Sequence, residues 1–306
     1  MPVAEKMKGK VCVVTGGNSG IGKVTALELA RMGANVVMVS RDPRKGERAR
    51  AELVRDSGNS AVELMIADLS LQREVRRLAS DLKRAHTKIH VLVNNAGSNF
   101  VGYSETEEGV ERTMAVNYFA PFLLTNLLVD VLVASAPSRV VNVASVAHHG
   151  SALDLDDMNG RKSQGTFGLR AYGRSKLALV LFTYELARRL QGKGVTVNCL
   201  HPGAVRTNIW SHSGVASPLA RIVSLFMRGP EKGAETCVYL ASAPEVEGLT
   251  GKYFIDLKER HSSRASYDEE LAARLWDLSV KMTSLNATRQ VHSPLIRGEI
   301  VARVSA

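Results

Sequence analysis

Three side chains in this sequence have the types and spacing of a proton relay. Tyr172 and Lys176 stand at i and i+4, which puts them on one helical face a few ångströms apart. An isolated tyrosine titrates near ~10, too high for efficient proton transfer at neutral pH. A neighbouring ammonium lowers it toward the working range. Ser145 closes an apolar run, where its hydroxyl can bond a substrate oxygen as charge develops there. Taken singly, a Tyr–Lys pair is more often a surface pair and a strand-end serine more often a cap. The conjunction carries the argument: a glycine turn, Asn94-Asn95-Ala96-Gly97, Asn117 in the following helical segment, Ser145 and Tyr172-x3-Lys176 come in order.

The glycine turn is Thr15-Gly16-Gly17-Asn18-Ser19-Gly20-Ile21-Gly22, opening directly into a helical pattern. Glycines let a backbone turn tightly and approach a pyrophosphate, and a helix N-terminus offers unpaired N–H groups to the anion. The spacing Gly16-x3-Gly20-x-Gly22 differs from the commoner G-x-G-x-x-G, and a plain strand-to-helix turn is the competing reading. At the end of the second apolar run, where NAD binders place an acid on the ribose hydroxyls, stand Ser40 and Arg41. Arg41 can pair with a 2′-phosphate bidentately, with Lys45 nearby and Lys23 adding charge, while Asp42 works against it. This pattern predicts NADP(H) over NAD(H); an ordinary surface arginine is the competing reading.

Short β-rich runs alternate with helical patterns along the chain. Strands are expected at 11–15, 35–40, 62–67, 89–93, 139–144 and 195–200, and helices at 21–32, 44–56, 71–85, 107–132, 172–190 and 267–282, with a bend near Pro121. Near-continuous Val/Ile runs predict strands buried on both faces. The fold class is therefore α/β, a doubly wound parallel sheet of Rossmann type with about seven strands and helices on both faces, binding ligands at the strand carboxyl ends. Residues 148–170 read as a long loop. Residues 204–230 read either as a lid over an apolar ligand or as a helix packed on the core. A single domain is expected over 1–285, with a mobile tail at 286–306.

The chain has 306 residues, 45% hydrophobic and 23% charged, which is ordinary globular usage. No run of ~18 apolar residues is evident, so no transmembrane segment is expected. The N-terminus lacks the apolar core of a signal peptide. Cys12, Cys199 and Cys237 fit neither zinc-site nor disulfide spacing, which points to a reducing, cytoplasmic compartment. His148 and His149 are adjacent, with no carboxylate or thiol at ligand spacing, so no metal is assigned. The net charge of +10 permits attraction to nucleic acid, but aromatics are only 5% and the basic residues are dispersed, so no dedicated nucleic-acid partner is expected.

In their order and context these motifs resemble the short-chain dehydrogenase/reductase family over roughly residues 9–285. The chain is similar within it to the retinol dehydrogenase-like branch, through Gly20-Ile21-Gly22-Lys23, Thr106-Glu107-Glu108-Gly109-Val110-Glu111, Val116-Asn117, Phe122-Leu123-Leu124-Thr125, Val146-Ala147-His148-His149, His201-Pro202-Gly203 and Leu275-Trp276. The 27 positions from Ser145 to Tyr172 also suit that branch. The resemblance implies Tyr172 as general acid/base, Lys176 on the nicotinamide ribose, Ser145 on the substrate carbonyl and Asn117 holding a water of the relay. It implies cofactor contacts from Gly16, Asn18, Ser19, Gly20, Ile21, Gly22, Asp68, Leu69, Asn95, Pro202, Gly203 and Val205. It also implies strand order 3-2-1-4-5-6-7 and a homodimer or homotetramer built on helices 107–132 and 172–190. The expected activity is an NADP(H)-dependent oxidoreductase, a carbonyl reductase in one direction, acting on an apolar, retinoid-like or lipid-like alcohol or carbonyl. A catalytically idle NADP(H)-binding sensor is the alternative, and the intact relay argues against it.

Overall fold

The computed structural model describes residues 6–161, 168–203 and 229–285. Val205, all of the segment 204–230 except its last two residues, and the tail 286–306 lie outside the described residues.

The order is β1 (Val11–Thr15), α1 (Gly20–Arg31), β2 (Asn35–Ser40), α2 (Pro43–Ser57), β3 (Val62–Ile66), α3 (Gln72–Ala85) and β4 (Val91–Asn94). Then come α4 (Arg112–Ala134), β5 (Ser138–Val143), α5 (Leu169–Arg189), β6 (Val195–His201), α6 (Pro230–Ser242), β7 (Tyr253–Ile255), β8 (Lys258–Arg260) and α7 (Glu269–Met282). The strands form one sheet in the order β3-β2-β1-β4-β5-β6-β7-β8. All neighbours are parallel except β8, which pairs antiparallel with β7 and adds an eighth strand to the seven expected.

Alternation along the strands feeds two cores. Val13, Val37, Leu92, Val140 and Val197 face α3, α4, α5 and α7. Cys12, Val14, Val36, Met38, Val93 and Val141 face α1, α2 and α6. Both sets are buried, so β1, β2 and β4 read as nearly continuous apolar runs and the sheet must carry helices on both sides. The chain reverses strand order between β1 and β4, which opens the crevice above their carboxyl ends.

Three expectations need correction. The helix expected at 107–132 begins at Arg112, because Glu105 and Glu111 pair across a turn and the Glu111 carboxylate accepts from the N–H groups of Thr113 and Met114. The irregularity expected at Pro121 is a π-helical turn at Ala115–Phe119, where the Ala120 N–H reaches back to the Ala115 carbonyl. The stretch Arg112–Ala134 also has the length and mean hydropathy, 1.6, of a membrane span, contrary to the reading that none exists. Its window is 83% buried inside the protein, as the central helix of a layered fold would be.

A dimer was expected on α4 and α5. The groove between these helices is filled by α7 of the same chain. Trp276 packs edge-on against Phe122 at 5.2 Å and stacks with Phe182 at 5.9 Å, Tyr118 Oη bonds Ser279 Oγ at 2.6 Å, and the Arg189 guanidinium lies 4.1 Å above Trp276.

Candidate active site

A cleft of about 1250 Å³ runs along the carboxyl ends of β1, β2, β4, β5 and β6. Gly16, Asn18, Ser19, Gly20 and Ile21 line its floor, and Arg41 and Lys45 one end. Asp68, Leu69 and Asn95 form the middle, and Ser145, Tyr172, Pro202 and Gly203 the other end.

The floor is a cradle that side chains would fill. A Cβ on Gly22 would sit 2.3 Å from Asn95 Nδ2 and 2.4 Å from the Gly16 carbonyl, and one on Gly16 would meet Ala96 Cα at 3.1 Å. Thr15, read only as the start of the motif, ties β1 to β4: its Oγ1 donates to the Val93 carbonyl and accepts from the N–H groups of Asn95 and Ala96, both at 3.0 Å. Asn95 Nδ2 returns a bond to the Thr15 carbonyl at 2.9 Å. Above the cradle, α1 starts with no side-chain cap and no acid in its first turn. Its N–H groups and dipole therefore suit the pyrophosphate of a dinucleotide.

At the carboxyl end of β2 the charges sort themselves. Asp42 lines this end as well and is the N-cap of α2; its Oδ1 accepts from the Arg44 and Lys45 N–H groups at 2.9 and 3.0 Å. These bonds hold its carboxyl below the usual range. Pro43 follows at the first helical position, so an N-cap signal was present in the sequence. Lys23 pairs with Glu52 and is itself absent from the lining. Arg48, which no motif singles out, also lines the cleft beside Arg41 and Lys45. One helical turn separates it from Lys45, a spacing that could have revealed it.

At the chemical end, the Ser145 side chain lies within reach of the Tyr172 phenol and acts on its titration. Tyr172 is buried by the wall of the cleft, and burial raises its phenol above the ordinary value, opposed by Ser145. Lys176, one turn on, is buried, and its Nζ donates to the Val143 carbonyl at 2.7 Å, 5.6 Å from the Tyr172 ring centroid. Desolvation brings its pKa down to about 8. Lys176 was expected to depress the Tyr172 pKa. In this arrangement the ammonium is turned to a carbonyl and is itself disfavoured by burial, and Ser145 supplies the lowering influence.

Asn117 sits inside the π turn, fully buried. Its Oδ1 accepts from the Ser98 N–H at 2.8 Å, and its Nδ2 donates to the Ser98 carbonyl at 2.9 Å and to Ser175 Oγ at 3.0 Å. Ser175 Oγ in turn donates to the Tyr172 carbonyl at 2.7 Å. Asn117 thus fixes both the strand-end loop and the catalytic helix. Gly97, in that loop, passes so close that a Cβ there would lie 3.5 Å from Lys176 Nζ. Gly22, Asn117 and Lys176 stand behind the surface, while the remaining described candidates line it.

His148 and His149 do not converge on an ion site: both ring nitrogens of His148 are engaged, Nδ1 with the Ser145 carbonyl and Nε2 with the Ser263 N–H. Phe100, Val146 and Leu169 also line the chemical end. Val146 and Leu169 are 44% and 53% exposed, an apolar rim that the motifs did not reveal.

Comparison with known proteins gives a concordant picture. The family model for short chain dehydrogenase matches residues 10–216. Retinol dehydrogenase 13 of Homo sapiens is 41% identical over 302 residues, covering 97% of this chain and 91% of that protein. Among solved structures, a protein from Mycobacterium Paratuberculosis described as uncharacterized superposes with a TM-score of 0.74 at 34% identity, over 90% of this chain and 94% of that one. The Pseudomonas aeruginosa RhlG/NADP active-site complex superposes with a TM-score of 0.68 at 28% identity, over 83% of this chain and 97% of that one.

Proposed function

The chain belongs to the short-chain dehydrogenase family, in its retinol dehydrogenase-like branch, and is an oxidoreductase of CH–OH and C=O groups; on that premise we propose that it uses NADP(H) in preference to NAD(H) and acts on apolar aldehydes, ketones or their alcohols. The single observation behind the cofactor preference is at the end of β2. Arg41, Lys45 and Arg48 line one end of the cleft, and the one acid that follows Arg41 is spent as a helix cap. A 2′-phosphate would meet these three cations there, while of the acids at that end Asp42 is held at its cap position and Glu52 is paired with Lys23. The NADP bound in the RhlG complex is in keeping with this reading.

The residues fit the dinucleotide. The glycine cradle and the uncapped start of α1 would hold its pyrophosphate, Asp68 and Leu69 its adenine side, and Lys176 with Pro202 and Gly203 its nicotinamide side. When bound, the nicotinamide supplies or accepts the hydride. The protein's own work is proton transfer and orientation. Tyr172 gives its phenolic proton to the substrate oxygen in reduction and takes it back in oxidation. Ser145 bonds the same oxygen and keeps the Tyr172 hydroxyl aimed at it. Asn117 and Ser175 hold the helix that carries both Tyr172 and Lys176. The apolar substrate class is supported by Phe100, Val146 and Leu169 around the chemical end.

The test is to titrate the protein with NADPH and NADH, then follow reduced-nicotinamide absorbance with a panel of aldehydes and ketones, retinal included. Higher catalytic efficiency with NADPH on apolar carbonyls is expected. A clear NADH preference contradicts the cofactor reading, and turnover confined to small polar carbonyls contradicts the substrate class.

A further inference from the structure

The substrate-orienting Ser145 does not hold itself in place. It starts a short 3-10 turn, Val146–His148, and its carbonyl is gripped by one residue at two points. The His148 N–H donates to the Ser145 carbonyl at 3.2 Å, and the His148 ring reaches the same oxygen through Nδ1 at 2.6 Å. The tautomer follows from the other side of the ring. Nε2 accepts the backbone N–H of Ser263 at 3.0 Å, so Nε2 is bare and Nδ1 carries the proton it gives to Ser145. The ring is fully buried, edge-on against Tyr253 at 5.0 Å. Burial brings its pKa down to about 4, which keeps it in the neutral form that this pairing requires.

The far anchor is itself braced. Ser262 Oγ bonds Tyr184 Oη at 2.7 Å and Ser266 Oγ at 2.7 Å, and the Ser262 N–H donates to Tyr267 Oη. Tyr184 lies on α5, the helix that carries Tyr172 and Lys176. The ring therefore closes a loop of hydrogen bonds from Ser145, through the segment after β8, back to the catalytic helix.

We propose that His148 is a positioning residue for the hydride-transfer reaction: it fixes the Ser145 peptide, and so the Ser145 hydroxyl, against Tyr172 by bolting it to the segment at Ser263. This rests on the reading of Ser145 as the residue that orients the substrate oxygen. A misplacement of about 1 Å at such a site costs on the order of 100-fold in rate.

The experiment compares H148L, H148N, H148Q, S145A and the double variant S145A/H148L in kcat, KM and dinucleotide Kd. H148L should lower kcat by about 10- to 100-fold, with dinucleotide Kd within about twofold, because the glycine cradle lies elsewhere. H148N keeps a donor near the Nδ1 position and should recover most of kcat, whereas H148Q, whose amide lies farther out toward Ser263, should not. In the S145A background H148L should add less than about twofold, since the group it positions is gone. If H148L does not fold, the Asn-against-Gln comparison decides. Undiminished turnover in S145A overturns the role of Ser145 and this proposal with it. A loss in S145A with an equal further loss from H148L, or H148Q as active as H148N, overturns the proposal for His148 alone.

Discussion

Lys176 donates to the carbonyl of Val143 at 2.7 Å, so the buried ammonium of the catalytic helix is fastened to the end of β5. A charge in that position is costly to the fold. Its pKa falls from 10.5 to about 8, a gap worth about 3 kcal/mol. Between those values the unfolded chain binds a proton that the folded chain does not, so stability from this group rises with pH through that window. Below about pH 8 the cost is present in full. The K176M variant should therefore be most favourable relative to wild type near pH 7, and that difference should shrink by pH 10. Denaturant titrations at the two pH values check it; a difference independent of pH contradicts the burial argument.

The phosphate-binding reading rests on Arg41. R41A should lower kcat/KM with NADPH by about 10- to 100-fold, the worth of one charge-assisted hydrogen bond or pair. Efficiency with NADH should change by less than about threefold. Steady-state kinetics with both cofactors separate the two. An equal loss with each would make Arg41 a structural residue.

The cradle tolerates no side chain at Gly22, where a Cβ would meet a backbone oxygen at 2.4 Å. G22A should raise the dinucleotide Kd by at least about tenfold and cost about 1–3 kcal/mol of stability through overpacking. Calorimetric titration and unfolding of the same preparation measure both. Wild-type affinity in G22A would show that the turn can open without loss.

Trp276 closes the groove between α4 and α5, stacked on Phe182 and under Arg189. W276A should cost about 3–5 kcal/mol, the usual range for a buried tryptophan. Chemical denaturation measures it. A loss below about 1 kcal/mol would mean that α7 packs there only loosely.

The sheet was legible because its central strands are buried on both faces, so apolar residues run almost without interruption in β1 and β2. The strands β7 and β8, three residues each, are too short to show any period, and α6 meets α1 through small residues such as Ala234 and Cys237. The catalytic residues were legible because Tyr172 and Lys176 are local partners on one helix. His148 was not, because its second partner is Ser263, 115 positions away. Asp42 was only half legible: its position beside Arg41 places it on the cleft, which it lines, but its second role, the cap of α2, depends on the Arg44 and Lys45 N–H groups. The groove filled by α7 depends on Trp276 reaching Phe122 and Phe182, a contact that no periodicity announces.

The central claim is that Tyr172 moves the proton that accompanies hydride transfer. The most direct measurement is turnover of Y172F beside its dinucleotide Kd. Turnover should fall by at least about 100-fold, the lower range for loss of a general acid, while Kd stays within about threefold because the cradle and the cations of α2 are untouched. Substantial residual turnover with intact cofactor binding would contradict the assignment of Tyr172.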